Sequence, residues 1–232
     1  MVCEPSETAE EFHAWVQEVV PLAVIQLPPS TRTSTRSTEF SGSVAVPAIA
    51  SMPETVAPAA FLAQSREYLT GHYLPKIQAA LEVLPDPDVW WRPNPASNSI
   101  GNLMLHLAGN IRQWIVSGVG GAPDRRHRAG EFTAGGEVSR RDLLVTLTEA
   151  VLDADAVLAR TDPASLGERR LVQGREVSIL EAVYHAVEHF AMHTGQILYL
   201  AKLRSGSDLG FYRMEEGIPR AAWPGHPTGG SA

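Results

Sequence analysis

Residues 178–206 read SILEAVYHAVEHFAMHTGQILYLAKLRSG, and this stretch decides the fold. Ser178 and Glu181 have the spacing of a capping box, and Gly206 follows about Arg204, so the segment carries both a helix start and a helix stop. Between them the residues are mostly apolar, except that His185, His189 and His193 recur every four positions, with Gln196 one turn further. Residues four apart stack on one helical face, so the imidazoles form a slowly rotating polar stripe on an otherwise apolar rod.

Upstream, other segments have the same helical character. Phe61, Leu62, Tyr68, Leu69, Leu74, Ile77, Leu81 and Leu84 predict a first helix from about Ala59 to Leu84, with a kink or break at Pro75. The stretch PDPDVWWRPNPASN then reads as a loop, with Trp90 and Trp91 as a structural plug or a binding platform. A second helix begins near Ser97 to Ser99 and runs through IGNLMLHLAGNIRQWIVSG to about Gly118. Helix three opens at Ser139 and Asp142 and carries Leu143, Leu144, Leu147, Val151, Leu152 and Leu158 to about Arg160. LGERRLVQGREVS, with Gly174 at its turn, predicts a small hairpin before the fourth helix. No repeat and no alternation of strands with helices is visible. The expected class is all-α, a four-helix bundle with a long glycine-rich loop of about twenty residues between helices 2 and 3.

The bundle is expected over residues 57–215. Residues 1–56, with PPSTRTSTRSTEFSGS and a small, proline-punctuated run, have the composition of a disordered extension; residues 12–26 are a candidate short helix or strand, and Met52 a candidate alternative start. Residues 216–232 read as a loose tail. Acidic residues (26) outnumber basic ones (19), giving a net charge of −7, which speaks against a nucleic-acid partner. One cysteine, Cys3, excludes an intrachain disulfide framework and predicts a reduced, cytoplasmic setting. No apolar stretch approaches the ~20 residues of a membrane helix, and VVPLAVIQLPP lacks the flanks of a signal peptide.

The second helix has its own polar line: Asn102, His106, Asn110 and Gln113 among Leu103, Leu105, Leu107, Ile111 and Trp114. Buried polar groups without partners cost on the order of 1–3 kcal/mol each, so two such stripes are best tolerated facing one another. His189 and His193 on one helix and His106 on another make a candidate ligand set for a divalent metal with open positions, and imidazole suits Zn, Ni, Cu and Fe(II) alike. The competing reading is a set of satisfied core histidines. His185 is a supporting group, an alternative ligand or a surface residue. His13, His72, His127 and His226 are expected in solvent, and DRRHR (124–128) is a solvated loop or an anion-holding one. Glu131, Asp124 and Tyr184 are the candidate general bases, since Glu188, next to His189, points about 100° away from it.

NSIGNLMLHLAGNIRQWIVSGVGG, EFTAGG, VEHFAMHTGQILYLAKL and DLGFY together resemble the DinB-like superfamily, in a subfamily of uncharacterised bacterial proteins, over roughly residues 58–214. The resemblance implies a four-helix bundle holding a divalent metal, usually zinc or nickel, on one histidine of the second helix and an H-x-x-x-H pair of the last. Those positions are His106, His189 and His193. Members of the superfamily include enzymes that use a low-molecular-weight thiol, so the implied partners are a small-molecule substrate and such a thiol. A metal-dependent hydrolase and a non-catalytic, metal-binding stress-response bundle are the alternatives. The bundle is also a candidate homodimer, with Trp114, Ile115 and Phe211 as apolar contributors.

Overall fold

Pro75 has no N–H to give the carbonyl of Gly71 four residues back, so a regular helix cannot pass through it unchanged. In the computed structural model, which describes residues 56–223, helix α1 (Val56–Glu67) widens into a π-helical turn (Tyr68–Tyr73) before α2 (Leu74–Glu82) continues the run. The freed Gly71 carbonyl instead accepts a hydrogen bond from Trp223 Nε1 at 3.0 Å. The expected break at Pro75 is thus a wide turn just before it. The readings for residues 1–55 and 224–232, with Cys3, His13, Met52 and His226, lie outside the described residues.

Helix α3 (Ile100–Ile111) starts at Ser99, which forms a capping box with Asn102, and passes into a second π-helical stretch (Arg112–Val119). Gly101 lets Trp90 lie against the start of α3, since a Cβ there would stand 2.7 Å from the indole. The Trp90 Nε1 donates to the Val138 carbonyl at 3.0 Å, which makes this residue packing material. The expected long loop contains a short helix, α4 (Arg128–Thr133). Ser139 then caps α5 (Arg140–Arg160). Strands β1 (Arg169–Val172) and β2 (Arg175–Ser178) form the expected antiparallel hairpin. Helix α6 (Ile179–Ser205) has the predicted Ser178–Glu181 box and ends at Gly206, whose φ of 65° is the left-handed conformation that glycine adopts without a Cβ penalty.

The described chain is mostly helical. Helix α3 packs against α5 and α6, α2 against α6, and α1 against α5. Their facing residues, among them Leu69, Ile77, Met104, Leu107, Ile111, Leu147, Val151 and Phe190, share one buried apolar core. Each such side chain contributes roughly 1.5–3 kcal/mol when removed from water. Trp114 and Ile115 are 4% and 0% exposed, so they belong to this core and correct the expectation that they serve a dimer interface.

The first residues of the predicted loose tail, 216–223, are ordered. Strand β4 (Ile218–Ala221) there pairs antiparallel with β3 (Tyr212–Glu215), which lies just before it. Trp223 is buried, with the Lys76 ammonium 3.7 Å from its ring centroid and His72 packed against it. His72, expected in solvent, is therefore part of an aromatic cluster. The hairpin was invisible to composition because its anchor, the Gly71 carbonyl, lies about 150 residues upstream and exists only once Pro75 has released it.

Candidate metal centre

The capping boxes at Ser99 and Ser178 set where α3 and α6 begin, and therefore which residues reach their contact. His106 from α3 and His189 and His193 from α6 meet there, and one nitrogen from each lies within 4.8 Å of the others. His106 Nε2 and His189 Nε2 are 2.9 Å apart. The His189 and His193 ring centroids are separated by 4.4 Å.

The edges turned away from this point are fixed by other groups. His106 Nδ1 stands 2.8 Å from Glu131 Oε2, and Arg126 donates to both oxygens of the same carboxylate, at 2.7 and 2.9 Å. A carboxylate there requires the proton on Nδ1 of His106, leaving the Nε2 lone pair directed at His189. His193 Nδ1 likewise faces Gln196 Oε1 at 2.7 Å, so its Nε2 is the basic nitrogen. Burial opposes ionisation of Glu131, but hydrogen bonds from Arg126 and His106 outweigh it and hold the carboxyl below its usual range. Burial, reinforced by the neighbouring imidazoles, pushes His189 down to about 3, and burial also lowers His193. His189 and His193 are consequently neutral at pH 7, the protonation state a metal requires of its histidine ligands.

The donor set is a candidate site for a divalent ion. Nitrogens about 2.0–2.1 Å from one ion stand roughly 2.9 Å apart at a right angle and about 3.4 Å apart at a tetrahedral one; all three nitrogens here lie within 4.8 Å, and the closest pair matches the smaller spacing. Two neutral lone pairs facing at that distance repel unless a proton or a cation lies between them.

Beside the cluster opens a pocket of ≈ 460 Å³ lined by His106, Asn110, Gln113, Arg126, Arg128, Gln173, His185 and His189. His185 packs on Trp114, ring centroids 4.0 Å apart, and stacks on His189. It is thus a pocket wall beside the triad. Gln113 accepts from Arg126 and from Gln173 and donates to Asp124. Asn102, in contrast, is satisfied away from α6: its amide donates to the carbonyls of Glu131 and Ala134. The two polar stripes therefore touch at His106 and share the pocket through Asn110, Gln113 and His185, and the segment between α3 and α5 satisfies Asn102 and part of Gln113.

Of the candidate bases, Glu131 is consumed by Arg126 and His106, Asp124 is bonded to Gln113 and the Arg126 backbone, and Tyr184 is 62% exposed. His127 is exposed, as expected. The Arg126–Glu131 clamp and Gln173 escaped the sequence reading, because no helical period links them to α3 or α6. One local signal existed: Gly109. A Cβ there would stand 2.1 Å from Glu131 Oε1, so only glycine lets the carboxylate lie against α3.

Residues 57–216 match the family described as protein of unknown function (DUF1572). The chain belongs to that family. DUF1572 is DinB-like, in agreement with the resemblance read from the histidine-bearing segments. The match spans both members of the α3–α6 contact and the Arg126–Glu131 clamp, so the triad sits within the DUF1572 region. No curated protein matches the chain.

Proposed function

We propose that this DUF1572 chain is a DinB-like four-helix bundle that binds a divalent metal, zinc or nickel, through His106, His189 and His193. We further propose that it acts as a metal-dependent enzyme, a low-molecular-weight-thiol S-transferase working on a small electrophile. The observation carrying this reading is three imidazole nitrogens within 4.8 Å of one another beside an open pocket. A divalent ion on such a set lowers the pKa of a coordinated thiol or water and polarises an acceptor group.

The chain's own residues supply orientation. Glu131 and Gln196 fix the tautomers of His106 and His193, so the metal-facing nitrogens keep their lone pairs. Arg126 keeps Glu131 ionised. The pocket lining holds no carboxylate, which favours an external thiol nucleophile over hydrolysis driven by a protein general base. Among the described residues no helix is long and apolar enough to cross a membrane, and we place the protein in the cytoplasm on its cysteine usage. Leu180, Tyr184, Met192, Tyr199 and Leu203, all exposed on α6, are the apolar surface we propose for a second copy.

Elemental analysis of the full chain beside His193→Ala tests the centre. Stoichiometric zinc or nickel in the wild type and its loss in the variant are expected. Equal metal content in both would overturn the ligand assignment. Conversion of an electrophile panel in the presence of thiols, abolished in His106→Ala, separates enzyme from metal-binding scaffold.

A further inference from the structure

Polar groups that line a pocket are usually engaged with one another, and those left over indicate what the pocket takes. Gln113 accepts from both Arg126 and Gln173. Asn110 differs: it is 4% exposed, lines the pocket, and its amide makes no hydrogen bond among the described residues. Its polar atoms open onto the pocket and are not sealed in the core, so the group they pair with is whatever fills the pocket.

Arg128 is the second leftover. It lines the same pocket from the exposed side and makes no ion pair among the described residues, its only contact of that kind being the Phe132 face at 5.5 Å. Arg126, by comparison, is neutralised by Glu131, and Asp124 is held by Gln113. Positive charge is therefore uncompensated at the pocket mouth.

Gln173 adds a third, independent sign. With φ of 52° it holds the left-handed conformation at the β1–β2 turn, a place where asparagine or glycine is favoured. Its side chain reaches from that turn to Gln113 and closes the pocket edge. A long side chain kept in a strained turn position at a pocket rim is retained for reach, since a shorter turn residue would relieve the strain and lose the contact.

From these three residues we infer that the pocket takes a carboxylate-bearing small molecule with a peptide-like amide. Arg128 receives the carboxylate and Asn110 pairs with the amide, while Gln173 covers the ligand. The inference rests on the metal-centre reading only for which end of the ligand faces the histidines; the recognition of the carboxylate stands apart from it. Arg is suited to this role because its planar fork binds carboxylates in a bidentate manner.

The test compares N-acetylcysteine with N-acetylcysteinamide, which differ only in whether the terminal group is charged, by calorimetry on the zinc-loaded full chain. The acid is expected to bind about tenfold more tightly. Arg128→Gln, at an exposed position, is expected to erase that preference with zinc content unchanged, and Asn110→Ala to weaken both compounds alike. The same comparison on metal-stripped protein with N-acetylalanine and N-acetylalaninamide, followed by NMR titration, reads the carboxylate preference without any metal–sulfur bond. Equal affinities for acid and amide, or a preference that survives Arg128→Gln, would overturn the inference. Absence of bound metal in the wild type would overturn the metal centre, and the metal-stripped arm would still decide the carboxylate site.

Discussion

Glu131 is the residue on which the orientation of His106 depends. Its carboxylate and the Arg126 guanidinium are 8% and 4% exposed, so the pair is held where solvent screens it little. Glu131→Gln keeps the shape, removes the charge and permits the wrong His106 tautomer. We expect metal affinity to fall about 10–100-fold, read by competition with a chromophoric chelator, as for other carboxylates behind a ligating histidine. Gly109→Ala attacks the same clamp sterically, because the new methyl would overlap Glu131 Oε1. It should cost about 1–3 kcal/mol of stability by urea titration, while a Gly→Ala change within a helix that met no obstacle would stabilise. A stabilised Gly109→Ala protein would show that the carboxylate does not lie there.

Helix α6 determines where two of the three imidazoles stand, and its own start depends on the reciprocal bonds between Ser178 and Glu181. Ser178→Ala leaves the first-turn amide of Glu181 without its acceptor and should cost about 0.5–2 kcal/mol in the urea midpoint. Because His189 lies about three turns further along, the variant is expected to retain its metal at saturation, and elemental analysis checks this separation of helix stability from ligand geometry. The other ends of the fold obey the same logic. Helix α3 uses Ser99 with Asn102, and Asn102 in turn ties the α4 region to α3 through the Glu131 and Ala134 carbonyls. One side chain thus both caps an element and brings the clamp within reach of His106.

At the scale of the whole molecule, burying a cluster of imidazoles makes stability depend on pH. In the unfolded chain a histidine titrates near about 6.5, whereas folding holds His189 down to about 3 and lowers His185 and His193, burial being the main cause for each. Below about pH 6.5 the unfolded state therefore binds protons that the folded state refuses. The stabilisation is complete above that pH and drains away as the pH falls toward 3. Metal-stripped protein should lose urea resistance steadily between pH 7 and pH 4, and a flat profile would contradict the burial of these rings. Metal-loaded protein should resist further into the acid, since a ligand at a hundredfold excess over its Kd adds about 2.7 kcal/mol to the folded state.

What the sequence by itself determined was everything carried by local periodicity and end signals. The helical rods, their caps at Ser139 and Ser178, the stop at Gly206, the β1–β2 hairpin and the placing of His106, His189 and His193 on the apolar faces of two rods follow from spacing, because a helix maps residues three and four apart onto one side. Tertiary structure alone decided the rest. Gly71 and Trp223, His106 and Glu131, and Gln113 and Gln173 are far apart in the chain, and no period or cap relates them. The first two pairs form because a carbonyl or an imidazole edge left unsatisfied by its own helix is costly to bury, and the nearest suitable partner came from a different segment. The third, at the surface, forms because the β1–β2 turn is brought beside α3.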